Sequence, residues 1–283
     1  MATTNYTQLQ KVATQVRRDI IRMVHGVGNG HPGGALGCAD LFVLLYFELM
    51  KHQPKFNMDG QGEDLFFLSN GHISAVWYST LARAGYFDVK ELASHRKLNS
   101  RLQGHPTPYE HLEGIRMSSG SLGQGLSVAA GAALAKKLNQ DDRLVYVLMG
   151  DGEQQEGQVW EAAMFAAHRK IDNLIAFIDY NGQQIDGPVD KVMSLGDLEG
   201  KYRTFGWTVL SCNGNDMAAL HQTILEAQQL LKTAGKPVMV LMKTEMGFPI
   251  DFMVGSHKWH GVAPNDEEAT KALAQLEETL GDY

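Results

Sequence analysis

Residues 145–187 read VYVLMGDGEQQEGQVWEAAMFAAHRKIDNLIAFIDYNGQQIDG. The apolar run Leu144–Met149 has the length of a buried strand and breaks at Gly150-Asp151-Gly152. Helical spacing follows from Gln158 to Arg169, and a second apolar run, Leu174–Ile178, ends in Asp179-Tyr180-Asn181-Gly182. Strand, helix and strand of this size predict a right-handed crossover between parallel strands, which sets Asp151 and Asn181 at two strand carboxyl ends. Open α/β sheets bind their ligands there. An acid and an amide flanked by glycines offer hard oxygen donors with little bulk. Such a set suits magnesium holding a diphosphate, because magnesium takes six oxygens at about 2.1 Å and leaves several positions to phosphates and water. Taken alone, Gly-Asp-Gly reads equally as a turn with a capping Asp.

Outward from this unit the alternation continues. Asp197–Phe205 reads as helix, Trp207–Ser211 as strand, Met217–Leu231 as helix and Pro237–Lys243 as strand. That order predicts a doubly wound, mostly parallel α/β sheet with helices on both faces. Upstream, Leu9, Val12, Ala13, Val16, Ile20, Met23 and Val24 recur at three- and four-residue steps, an amphipathic helix ending near Gly26. Gly and Pro at positions 32 to 34 predict a loop carrying His31, ahead of an apolar helix over Ala39–Met50. Leu65–Leu68 reads as a buried strand, with Ser69 placed to cap a helix starting near His72. The free amides of such a helix start favour an anion. A Pro-rich loop around His105 leads to a small-residue helix, Gln124–Lys136, behind Gly120, Gly123 and Gly125; close helix-sheet packing and a ligand cradle both fit this stretch. A loop after Lys243 carries His257 and His260, which lack the third ligand a metal site needs. Asn265–Leu280 reads as an acidic surface helix.

At 283 residues, 44% hydrophobic and 20% charged, the chain has the size and composition of one α/β domain, expected to span 1–283, with a substantial core. A net charge of −7 argues against nucleic-acid binding. Two cysteines make no disulfide framework, the amino-terminal stretch lacks a signal peptide's apolar core, and no apolar run reaches membrane-spanning length. The expected location is the cytoplasm, away from membranes.

Gly-Asp-Gly followed 30 residues later by Asn at the next strand end resembles the diphosphate signature of thiamine diphosphate enzymes. The version here, GDGEQQEGQVWEAA with DNLIAFIDYNGQQIDG, is similar to transketolase. GHPGG at His31, LSNGH at His72, GHP at His105, GSLGQG at 120–125 and WHG at His260 stand in the order of that family. Tyr180 replaces an Asn usual in the family, and Ser121 a Pro; both leave the ligand positions in place. The resemblance implies magnesium, with calcium or manganese as substitutes, on Asp151, the Asn181 side chain and the Gln183 carbonyl. It implies thiamine diphosphate along His72, Gly120, Ser121, Leu122, Gly152, Glu156, Asn181, Lys243 and His257, with Glu156 also at a contact between subunits. His31, His105 and His260 would face the sugar and handle its hydroxyl and carbonyl protons, a task suited to imidazole near neutral pH.

Transketolases are normally more than twice this length, and the resemblance covers only their diphosphate-binding half. Their pyrimidine-binding domain, whose Glu bonds the cofactor ring, finds no match, and a second domain of about 150 residues does not fit beside the sheet. The expectation is the amino-terminal subunit of a two-chain transketolase, moving a two-carbon ketol unit from a ketose or its phosphate to an aldose or its phosphate. A separate carboxy-terminal subunit would carry the pyrimidine-binding domain, with two copies of each chain. Two other readings stand beside it. The diphosphate half of a deoxyxylulose-phosphate synthase-like or 2-oxoacid dehydrogenase enzyme would keep Asp151 and Asn181 without needing the histidines. A non-catalytic regulatory paralogue would have little use for them.

Overall fold

The computed structural model describes residues 4–283. Asn5 caps the first helix, α1 (Tyr6–Val27), by accepting the Gln8 amide, and Gly28 in the left-handed conformation ends it. Two short helices follow, α2 (Pro32–Gly37) and α3 (Ala39–Leu44), the latter continuing as a π-helical turn to Leu49. Strand β1 (Leu65–Leu68) passes through a 3-10 turn into α4 (Ser74–Arg83). Helix α5 (Gln124–Leu138) precedes the central unit of β2 (Val145–Gly150), α6 (Gly157–His168) and β3 (Leu174–Asp179). A small hairpin, β4 (Gln183–Gln184) and β5 (Gly187–Pro188), then leads to α7 (Val189–Val192) and α8 (Leu198–Thr204). The chain continues with β6 (Thr208–Asn213), α9 (Met217–Ala234), β7 (Val238–Lys243) and α10 (Asp266–Ala274).

Five strands pair in parallel in the order β1-β2-β3-β7-β6. The central strands are unbroken apolar runs because both faces are covered. Successive side chains go to opposite faces: Tyr146, Leu148, Ile175, Phe177, Val238 and Val240 join a core with α1, α3, α4 and α9. Val147, Met149, Ala176, Ile178, Met239 and Leu241 join a second core with α5, α6 and α8. The doubly wound reading of the sequence holds. Strands β1, β2 and β3 add in one direction, whereas the chain reaches the edge strand β6 before returning to β7 beside β3. A right-handed crossover made in the reverse direction lands on the reverse face, so α9 lies opposite α5 and α6.

Three segments correct the sequence reading. Residues 32–37 form a helix, not a loop: Pro32 occupies its first turn, where a missing N–H costs nothing, and the glycines serve packing. A Cβ on Gly33 would stand 2.8 Å from the Trp259 carbonyl oxygen, and one on Gly34 would stand 2.9 Å from Ile73 Cγ2. Ser69 caps no helix, since α4 starts five residues later; its hydroxyl is used between loops. The tail helix ends at Ala274, and Ala269, Ala272 and Leu276 bury into the first core, so it is a packed element with one acidic face. Arg17 of α1 donates to the Leu36 carbonyl and pairs with Asp40 at 2.6 Å, which ties the α2–α3 turn to α1.

Candidate active site

A cleft of about 380 Å³ opens at the carboxyl ends of β2 and β3, beside the point where the strand order doubles back. Asp151 follows β2 directly and is 2% exposed. Its Oδ1 accepts the Gly152 amide at 2.7 Å and its Oδ2 the Gly182 amide at 2.6 Å. Among the described residues no cationic side chain pairs with it, and burial first, then the nearby charge of Asp179, pushes its carboxyl up to about 7. A buried carboxylate left in this condition is stabilised by a bound cation.

Asn181 is oriented from beneath. Its amide donates to Asp179 at 2.9 Å, and the buried Asp179 also accepts the Thr244 hydroxyl. The Asn181 carbonyl oxygen is thereby turned the other way, where it accepts the Gln183 amide at 2.9 Å and keeps a second lone pair. Gln183 and Pro188 form a non-hydrogen-bonded pair of the hairpin, because the neighbouring ladder bond runs from the Val189 amide to the Gly182 carbonyl. The hairpin therefore leaves the Gln183 carbonyl free. Asp151, Asn181 and Gln183 all line the cleft. Among the described residues no group of three His, Cys, Asp or Glu side chains gathers as a metal set. One carboxylate, one amide and one backbone carbonyl fit magnesium, not the nitrogen and sulfur preferences of zinc.

Three histidines, His31, His72 and His260, also line the cleft, and His105, outside the lining, packs beside His31. The His31 ring centroid lies 5.1 Å from that of His72, 5.8 Å from His260 and 6.4 Å from His105. His72 and His260 stack at 4.9 Å. Pro32 begins α2 immediately after His31, and Gly120, at φ +117, gives the His105 ring room: a Cβ there would meet it at 2.8 Å. Burial above all depresses all four imidazoles, and the Arg96 guanidinium adds to this for His31, His72 and His105; His31 is lowered to about 4. At neutral pH this group of histidines is uncharged and able to donate or accept hydrogen bonds.

Residues 8–281 match the family described as "Transketolase, thiamine diphosphate binding domain". The chain belongs to this transketolase family. It is 38% identical over 269 residues to the 6-deoxy-6-sulfo-D-fructose transketolase subunit SqwG of Clostridium sp. (strain MSTE9), covering 95% of this chain and 96% of that protein. It is 36% identical over 264 residues to one of the subunits of the apulose-4-phosphate transketolase of Phocaeicola vulgatus, covering 93% and 92%. Among solved structures, the transketolase of Campylobacter jejuni superposes with a TM-score of 0.89 at 33% identity, over 96% of this chain and 43% of that one. The chain thus spans less than half of the transketolase it superposes on.

Within this transketolase domain most residues singled out from the sequence converge, and some do not. Gly152, Leu122 and Glu156 line the cleft with His31, His72 and His260. Gly120 and Ser121 stand just outside it, with Ser121 exposed and accepting from Gln124. Lys243 and His257 are exposed and away from the cleft. Lys243 ends β7 on the alternate face, and it is the next residue, Thr244, that reaches Asp179; His257 sits at the start of a 3-10 turn whose other end delivers His260. Sequence reasoning missed Glu153. It is 2% exposed and accepts the Ser69 hydroxyl, the Gly123 amide at 2.8 Å and the Gly150 amide at 3.0 Å. Ser69 in turn accepts the Gly125 amide at 3.0 Å. One carboxylate thus ties three cleft loops together, and a Cβ on Gly125 would collide with that of Ser69 and part them. The only signal in the sequence is an acidic residue next to Gly-Asp-Gly.

Proposed function

We propose that this chain is the diphosphate-binding, amino-terminal subunit of a two-chain transketolase that moves a two-carbon ketol unit from a ketose or ketose phosphate to an aldose or aldose phosphate. The observation that carries it is one cleft lined by two chemically different sets of residues: the oxygen donors Asp151, Asn181 and Gln183 and the imidazoles of His31, His72 and His260. The first suits magnesium and a diphosphate, the second a polyhydroxylated substrate. Support for two chains comes from coverage. The 283 residues account for 96% and 92% of two relatives that are themselves named as subunits, against 43% of a single-chain transketolase. Both relatives are named for anionic sugars, which favours sugar phosphates or related acids here.

In this reading Asp151, the Asn181 side chain and the Gln183 carbonyl hold magnesium, while Gly152, Leu122, His72 and Glu156 border the diphosphate and its linker. Thiamine diphosphate, when bound, supplies the nucleophilic carbon that cleaves and re-forms the carbon–carbon bond beside the ketone. His31, His105 and His260 hold the sugar's hydroxyl and carbonyl groups and exchange protons with them, which neutral imidazoles do without a charge penalty. The buried Glu153 keeps the three loops in register. A partner chain with the pyrimidine-binding domain completes the site, with two copies of each chain in the assembly. Among the described residues no helix is long and apolar enough to cross a membrane, and the reaction is assigned to the cytoplasm.

The test is reconstitution. The purified chain is mixed with its candidate pyrimidine-domain partner in saturating magnesium and thiamine diphosphate, and ketol transfer is followed from a panel of ketose donors. Transfer by the mixture and none by either chain alone is expected. Turnover by this chain alone, or none with any partner that forms a stable complex, would overturn the proposal.

A further inference from the structure

Behind the histidines lies a residue with no role in the site as described. Arg96 holds a left-handed backbone, φ +56, uncommon for a side chain of this size, and its amide closes the turn by donating to the Leu102 carbonyl at 2.8 Å. The turn aims the guanidinium at the cleft. Its Nη1 donates to Asn29 Oδ1 at 2.6 Å, and its Nη2 lies 3.3 Å from the Gly104 carbonyl and 3.4 Å from His31 Nδ1. The group is half-buried, and among the described residues no carboxylate pairs with it. Gly104 is needed for this placement, since a Cβ there would stand 2.8 Å from Arg96 Cζ.

We propose that Arg96 is a positioning residue that sets the tautomer of His31. Guanidinium is always a donor and never an acceptor, so a bond to it requires His31 Nδ1 to carry the lone pair and Nε2 to carry the proton. Nε2 is the nitrogen on the side of the WHG loop: a Cβ on Gly261 would lie 3.7 Å from it. His31 then meets the substrate as a neutral N–H donor, so its part in the proton exchange is to give a hydrogen bond or a proton to a hydroxyl or carbonyl oxygen, and taking a proton falls to the other histidines. The groups acting on His31 are Arg96, His260 and His105, none of them anionic, so nothing nearby favours the opposite tautomer or the imidazolium. A strained backbone and an unpaired, partly desolvated cation are costs with no evident gain in folding, and such costs concentrate at functional sites. This inference rests on the transketolase reading for the identity of the substrate, but not for the tautomer.

Histidine-selective ¹⁵N labelling of the full chain and long-range ¹H–¹⁵N correlation at pH 7.5 report the tautomer directly, with His31→Gln assigning the signal. The wild type is expected to show His31 protonated at Nε2. In Arg96→Met, and in Gly104→Ala, where the arginine is kept but displaced, an Nδ1-protonated share should appear. In the reconstituted pair, Arg96→Met should raise KM for the ketose about tenfold, the cost of one substrate hydrogen bond, with a smaller change in kcat and partial recovery in Arg96→Lys. Protonation at Nδ1 in the wild type, an unchanged tautomer in both variants, or an unchanged KM despite a shifted tautomer would each overturn the assignment. If no partner yields ketol transfer, the functional reading fails while the spectra still decide the tautomer.

Discussion

Replacing Glu153 tests whether the cleft is held together by one buried carboxylate. The side chain accepts three hydrogen bonds, from Ser69 and Gly123 on two other loops and from Gly150 at the end of β2. In Glu153→Ala the Gly123 and Gly150 amides lose their acceptor inside the protein, at about 1–3 kcal/mol each, and the vacated volume adds to this, so a total of about 3–5 kcal/mol is expected. Domains of this kind have about 5–15 kcal/mol in all, so that variant approaches unfolding. Glu153→Gln is the more informative change. It preserves shape and one acceptor oxygen but sets an NH₂ against donors, for a cost of about 1.5–3 kcal/mol. The chain stays folded while Gly123 and Gly150 lose their common anchor. Urea denaturation should show the drop in stability, and titration with thiamine diphosphate in magnesium should show affinity weakened more than about tenfold, as expected when a preorganised cradle must be ordered on binding. A Glu153→Gln chain with the midpoint and affinity of the wild type would refute the argument.

Two further predictions concern the histidines. His105→Ala and His260→Ala, in the reconstituted pair, should lower turnover by about 10²–10⁴ while cofactor affinity stays near that of the wild type; a variant that loses cofactor and keeps turnover at saturation would show that its histidine serves the cofactor instead. Burial and Arg96 lower His31 from its ordinary 6.5 to about 4, so the unfolded chain takes up this proton first on acidification. Stability from this group is complete above about pH 6.5 and is lost as pH falls toward 4, so His31→Gln should flatten that part of the stability curve measured by urea midpoints. Parallel curves for the two chains would contradict it.

The sheet was legible because parallel strands covered on both faces must be apolar throughout, and Leu144–Met149, Leu174–Ile178 and Pro237–Lys243 contain little else. The cleft was legible because a strand–helix–strand unit fixes where its loops emerge, which put Asp151 and Asn181 side by side before any coordinates. What escaped depended on long-range packing. Gly33 and Gly34 read as loop formers because a glycine in a helix interior is locally unfavourable; the reason for them is Met246, Trp259 and Ile73, which sequence neighbours do not announce. Glu153 looks like one more acid among EQQE, and only burial beneath two other loops gives it three donors. Arg96 sits in the polar run HRKLNSR, which reads as surface, and a left-handed turn carries it inward. At Lys243 the strand's alternation decides, sending the lysine outward and leaving Thr244 to face Asp179.

The central claim is that this chain carries the metal-diphosphate half of a transketolase site, and isothermal titration of thiamine diphosphate into the wild type and Asp151→Ala, each with magnesium and with chelator, in the presence of the partner chain, tests it most directly. The account predicts binding that needs both magnesium and Asp151, with the variant folded because removing a buried carboxylate that burial and the Asp179 charge already disfavour offsets the acceptors lost by the Gly152 and Gly182 amides. Equal binding by both chains, or binding by the wild type that chelator leaves untouched, would contradict it.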